Sequence, residues 1–237
     1  MASLTPVLDQ NPGGYRYSLD PFLLVGFAAA ESGRRLVDLG CGSGVVPLLL
    51  AARRPQALVS GIELQPRLAE LARSNVAASG VADRVEIIAG DLRQIGPLLP
   101  PAECDAVLAN PPYRRVGSGR LAPDGERAAA RHELNGTLAD FVAAAVYLLK
   151  AGGRFYLVHL PERLSEVLTL LQTAGLAPKR LRCVHPQPGA AACLVLVEGR
   201  KGGRPGLVVE TPLLVRDGGG YSPEMAALYA SCAGGSP

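Results

Sequence analysis

None of the five cysteines, Cys41, Cys104, Cys183, Cys193 and Cys232, forms a C-x-x-C pair, and their count is odd. Neither a zinc site nor a disulfide framework is supported by such spacing, and reduced thiols in a cytoplasmic protein are the expectation. The opening "MASLTPVLDQNPGG" has no basic stretch followed by an apolar one, so it lacks the pattern of a secretory leader. No apolar run approaches the ~20 residues of a membrane helix. There is no internal repeat, no low-complexity tract and no strong charge excess, the formal net charge being +3. That balance says nothing about partners. With 48% hydrophobic and 19% charged residues, the 237-residue chain can bury a sizeable core and is not a disordered one. We expect an N-terminal arm with a short helix over 1–33, one globular domain over 34–237, no metal and no obligate protein partner.

What is present alternates. "RLVDLG" (35–40), "ALVSGIE" (57–63), "RVEIIAGD" (84–91), "CDAVLAN" (104–110) and "RFYLVHL" (154–160) read as buried strands. Between them lie helical patterns at 44–54, 66–80 and 137–153, followed by another at 161–175. Pro66 and Gly80 bracket the second, and Thr137 is a natural N-cap for the third. A short helix is expected at 20–30, capped by Asp20 with Pro21 at its first position. "RLRCVH" (180–185) and "AACLVLVE" (191–198) leave no room for a helix between them and read as an antiparallel pair, followed by a flexible "GRKGGRPG" loop. Strand–helix alternation predicts an α/β fold: a doubly wound, mostly parallel, seven-stranded sheet with an antiparallel strand near its C-terminal end. Ligands in such sheets bind at the carboxyl ends of the strands.

Three loops fall on that rim, after Gly40, Glu63 and Asn110. In "DLGCGSG", Gly40, Gly42 and Gly44 recur at every second position, unlike the G-x-G-x-x-G of dinucleotide folds. Backbone without Cβ atoms lets a ligand approach closely. Asp38, Glu63 and Asp91 stand at three successive strand ends. Three acids there suit a nucleoside carrying a positive substituent better than a pyrophosphate, and S-adenosylmethionine (SAM) is such a ligand. The chain from about residue 34 to 198 resembles the class I SAM-dependent methyltransferases, which have a Rossmann-like fold. The resemblance implies that Asp38, Gly40 and Gly42 face the methionine part, Glu63 the ribose, and Asp91 with Leu92 the adenine. It adds Gly44, Leu64 and Asn110 to the cofactor-binding residues.

"NPPY" (110–113) resembles the signature of enzymes that methylate planar, conjugated nitrogens: adenine's exocyclic amine or glutamine's side-chain amide. These nitrogens delocalise their lone pair and attack poorly. Acceptors aimed at the NH₂ hydrogens favour a pyramidal nitrogen. Asn110 offers one acceptor and the Pro111 carbonyl another, and the rigid Pro111–Pro112 pair holds the latter in place beforehand. Tyr113 offers a face to a base.

The flanks of this loop are basic. Residues 114–132 hold Arg114, Arg115, Arg120, Arg127, Arg131 and His132 against Asp124 and Glu126. Residues 176–209 hold six basic side chains against Glu198 alone. Such flanks suit phosphate contacts. Together with "YRYSLDPFLLVGF" (15–27), "AAARHEL" (128–134) and "YSPEM" (221–225), the motifs resemble the bacterial tRNA (adenine-N6) methyltransferase family. Leu19 departs from it where many relatives have threonine. The resemblance implies an RNA substrate, a tRNA, and Tyr17, Arg114, Arg115, Arg131 and His132 as contacts. The alternative is glutamine-N5 methylation of a protein such as a release factor.

Overall fold

A computed structural model describes residues 19–28, 33–113 and 136–233. Helix α1 (Asp20–Phe27) leads into β1 (Arg35–Leu39), α2 (Val45–Arg53), β2 (Leu58–Glu63), α3 (Pro66–Ala78), β3 (Val85–Ala89) and β4 (Cys104–Ala109). Then come α4 (Leu138–Leu148), β5 (Leu149–His159), α5 (Leu164–Thr173), β6 (Leu176–His185) and β7 (Leu194–Lys201). Four two-residue strands follow, β8 (Val208–Val209), β9 (Leu213–Leu214), β10 (Arg216–Asp217) and β11 (Gly220–Tyr221), before α6 (Pro223–Ala233).

The main sheet runs β3-β2-β1-β4-β5-β7-β6-β8, with β9 also against β6. The first five of these strands are parallel, and β7 is antiparallel to both β5 and β6. The seven long strands are those expected; β8 and β9 extend the sheet to nine. Side chains alternate between two buried faces. Leu36, Ala106, Leu108, Tyr156 and Val158 pack with α1, α2, α3 and α6. Val37, Val107, Ala109, Phe155 and Leu157 pack with α4 and α5. Both faces are buried, which is why these strands read as continuous apolar runs.

Several boundaries differ from the sequence reading. The helix expected over 137–153 ends at Leu148, because Leu149 is already extended and begins β5. Gly152 has φ 77°, and the pairing of β5 with β4 shifts register between Cys104 and Ala106. Helix propensity loses here to a β-bulge and glycine. β6 starts at Leu176, four residues early, and its register against β7 shifts at Pro178, which has no N–H to donate. The "GRK" of the supposed flexible loop belongs to β7. Asp20 is the first residue of α1, not its cap; the cap position is Leu19, with no side-chain hydrogen bond. Thr137 does cap α4, in a capping box with Asp140. Helix α1 is buried along most of its length, between α2, α6 and strands β5 and β7.

Candidate active site

The strand order reverses its winding between β1 and β4, and a crevice opens outside their carboxyl ends. Gly40, Gly42 and Gly44 have φ 72°, 54° and 86°, the left-handed region that side chains resist. The Gly40 and Cys41 amides donate to the Ile62 carbonyl at 2.8 and 3.0 Å, tying the loop to β2. Gly44 backs onto Ala72: a Cβ there would lie 3.1 Å from the alanine Cβ. A Cβ on Gly42 would meet nothing within 4 Å. The loop is therefore packed behind and open in front, over the cavity.

Two acids stand in that cavity. Asp38 is 2% exposed and has no hydrogen-bond donor among the described residues. Burial raises its pKa well above the usual carboxylate value, and the nearby Glu63 adds to the rise. Glu63 is also buried, which raises its pKa, and both its oxygens are held: Oε2 accepts from the Gly42 amide and Oε1 from the Gln65 amide, each at 2.8 Å. Leu64, Leu68, Leu92 and Phe141 form apolar walls, and Pro21 of α1 closes one side.

Asp91 is placed differently. Its carboxylate receives Arg93 Nε at 2.9 Å and Nη2 at 2.6 Å, and the Arg93 amide at 2.9 Å, capping a 3₁₀ turn over Leu92–Gln94. Hydrogen bonding from Arg93 holds its carboxyl below the usual range. Gly90 and Leu92, on either side of it, line the cavity; Asp91 does not.

The Asn110–Tyr113 loop forms the opposite lip. Asn110 and Pro112 line the cavity, while Pro111 is buried beneath. Tyr113 turns back: its Oη lies 2.5 Å from Asp20 Oδ2 and 2.8 Å from Asn110 Oδ1. Its ring meets His159 edge-on at 5.5 Å, and Arg163 Nη1 donates to its carbonyl at 3.3 Å. His159 is fully buried, and its Nδ1 accepts from the Leu160 amide at 2.8 Å. Burial, with Arg163 nearby, lowers its pKa to about 4.

Tyr17, Arg114, Arg115, Arg131 and His132 lie outside the described residues. The second basic stretch is largely internal or remote. Arg180 bonds Glu198 at 3.0 Å and Glu210 at 2.5 Å, and Arg182 bonds Glu224 at 2.6 Å. Lys201 donates to the Val146 and Leu149 carbonyls. Arg200 pairs in register with Arg154, toward the amino end of β5 and away from the crevice. A local charge count in sequence missed these partners because Glu210 and Glu224 lie beyond the counted window. Pro21, Leu68 and Phe141, which line the cavity, also escaped sequence reasoning; apolar helix residues carry no sign of which ones face a ligand. Among the described residues no cluster of His, Cys, Asp or Glu could hold a metal ion, and no helix is long and apolar enough to cross a membrane.

Residues 21–173 match the family described as Methyltransferase small domain. The chain belongs to that family. Among its relatives is the tRNA1(Val) (adenine(37)-N6)-methyltransferase of Porphyromonas gingivalis, 34% identical over 199 residues, covering 81% of this chain and 77% of that one. The like-named protein of Tolumonas auensis is 31% identical over 226 residues, covering 93% and 91%. A predicted O-methyltransferase from Agrobacterium tumefaciens shares the fold, with TM-score 0.74 at 24% identity over 90% of this chain and 96% of that one. As a methyltransferase, the protein has its glycine loop and its asparagine lip on one crevice, at the winding reversal of the sheet.

Proposed function

We propose that the protein transfers a methyl group from SAM to the exocyclic N6 of an adenine in RNA, with tRNA as the RNA class. The observation that carries this reading is the lip Asn110–Tyr113 set against the glycine-loop cavity. The names of the relatives support the adenine and the tRNA.

The residues present fit SAM. Asp38 is a buried carboxylate that no described cation meets, so a ligand ammonium relieves its burial. Glu63 is fixed by two backbone amides, with lone pairs left for ribose hydroxyls. Leu64, Leu68, Leu92 and Phe141 offer an apolar slot for a purine. The open space over Gly42 admits the ligand's chain. When bound, SAM supplies an electrophilic methyl group on a sulfonium.

The chain's own work is orientation. Asn110 accepts one hydrogen of the target amine and the Pro111 carbonyl accepts the other, turning the nitrogen lone pair toward the cavity. The Tyr113 contact restrains Asn110, and the paired prolines restrain the backbone beside it, before substrate arrives. The attacking nitrogen is neutral, so no general base is needed before transfer. An RNA adenine must leave its stack to reach the lip, which costs least for a loop base that is already unstacked. Tyr113 offers it a ring face, a contact type worth ~1–3 kcal/mol.

Incubation with methyl-labelled SAM and either total tRNA or a release factor tests the reading. Label is expected in tRNA. Label in the protein alone would overturn it in favour of glutamine.

A further inference from the structure

Tyr113 Oη has two close neighbours, Asp20 Oδ2 at 2.5 Å and Asn110 Oδ1 at 2.8 Å, but a phenol has a single proton to give. A carboxylate accepts only, so the proton goes to Asp20. The neighbour at 2.8 Å must then donate, and only the NH₂ end of the Asn110 amide can do so. Amide oxygen and nitrogen exchange places by a simple turn about the last side-chain bond, and the network decides between them. The consistent network runs Asn110 Nδ2–H to Tyr113 Oη, and Tyr113 Oη–H to Asp20. Asn110 Oδ1 then faces the other way, toward the cavity that the residue lines.

We infer that Asp20 is a positioning residue for methyl transfer: through Tyr113 it sets which end of the Asn110 amide is presented to the target amine. This rests on the reading that Asn110 accepts a hydrogen from that amine. The placement of Asp20 suits the role. It is 8% exposed, at the first position of a helix packed between α2, α6 and the sheet, so its carboxylate is a fixed reference point. Tyr113 is held independently by the His159 ring and by Arg163 on its carbonyl. Nothing in the sequence joins Asp20 to the lip; 93 residues separate it from Tyr113.

With Asp20→Asn, the new amide can donate to Tyr113 Oη. The phenol proton is then free for Asn110 Oδ1, and the NH₂ end of Asn110 turns toward a substrate nitrogen that needs an acceptor. With Tyr113→Phe there is no hydroxyl, so Asn110 is released to answer the substrate and Asp20 no longer reaches it through the phenol.

The test is a double-mutant cycle. Single-turnover methyl transfer to tRNA is measured for the wild type, Asp20→Asn, Tyr113→Phe and the double variant, with SAM affinity and melting temperature alongside. Asp20→Asn is expected to slow transfer by about a hundredfold, the scale for losing one oriented polar group in an active site, with SAM affinity unchanged. In the Tyr113→Phe background the same substitution is expected to cost far less. An equal loss in both backgrounds would mean that Asp20 acts through folding or another contact, and would overturn the inference. So would an undiminished rate for Asp20→Asn with Tyr113 intact. Wild-type protein that leaves tRNA unlabelled defeats the adenine reading by itself; the cycle is then read on the substrate that does take label.

Discussion

Replacing Asp38 by Asn should move stability and cofactor binding in opposite directions. The carboxylate is 2% exposed, faces Glu63 and has no hydrogen-bond donor among the described residues, so burial raises its pKa well above that of a free carboxylate. The sign follows from linkage. The folded chain holds this proton more tightly than the unfolded chain, so stability falls as pH rises through the raised value. An isosteric amide removes the charge and that loss. Unliganded Asp38→Asn is therefore expected to melt higher than wild type at pH 7–8, each kcal/mol of relief raising the midpoint by about 2–4 °C in a chain of this size. The difference should close in acid, below the ordinary carboxylate pKa of about 4. SAM binding should weaken, because truncating one partner of a buried charge pair costs roughly 2–5 kcal/mol, or about 30-fold and upward in Kd. Scanning calorimetry across pH, with calorimetric titration of SAM, measures both. A variant that melts lower and binds SAM normally would refute the reasoning: Asp38 would then be a structural acid with a partner of its own.

Other outcomes follow from the same geometry. Glu198, 1% exposed, accepts from Arg154 at 2.7 Å and Arg180 at 3.0 Å. Glu198→Ala removes the acceptor that Arg154 and Arg180 share, Arg180 keeping Glu210, and should cost about 1–3 kcal/mol in urea unfolding. His159 is buried neutral with its pKa lowered to about 4, so its contribution is intact above the unfolded value of about 6.5 and is lost as pH falls between the two. His159→Leu should therefore flatten the acid side of the stability profile, by about 3 kcal/mol near pH 4, when unfolding is compared there and at pH 7.

The parallel half of the sheet was legible because its strands are buried on both faces and read as short apolar runs between glycine and proline punctuation. The crevice was legible for the same reason: Gly40, Gly42, Glu63 and Asn110 each sit where a run ends. The rest depends on contacts between distant residues. Leu149 joins β5 because Cys104 offers it an edge, against the helical pattern on its own side. β8 and β9 exist only as partners of β6. Asp91 stands at the right strand end, yet its carboxylate is taken by Arg93 two residues on. Arg180 and Arg182 looked like a basic surface until Glu198, Glu210 and Glu224 came alongside. Periodicity sees burial; it does not see which side chain a charge has met.

The chemistry assigned to the lip is tested most directly by mass spectrometry of nucleosides from tRNA incubated with the protein and SAM. N6-methyladenosine should accumulate with the wild type and fail to appear with Asn110→Ala, although that variant still binds SAM. Wild-type protein that forms no N6-methyladenosine, or Asn110→Ala that forms it at the full rate, would contradict the account.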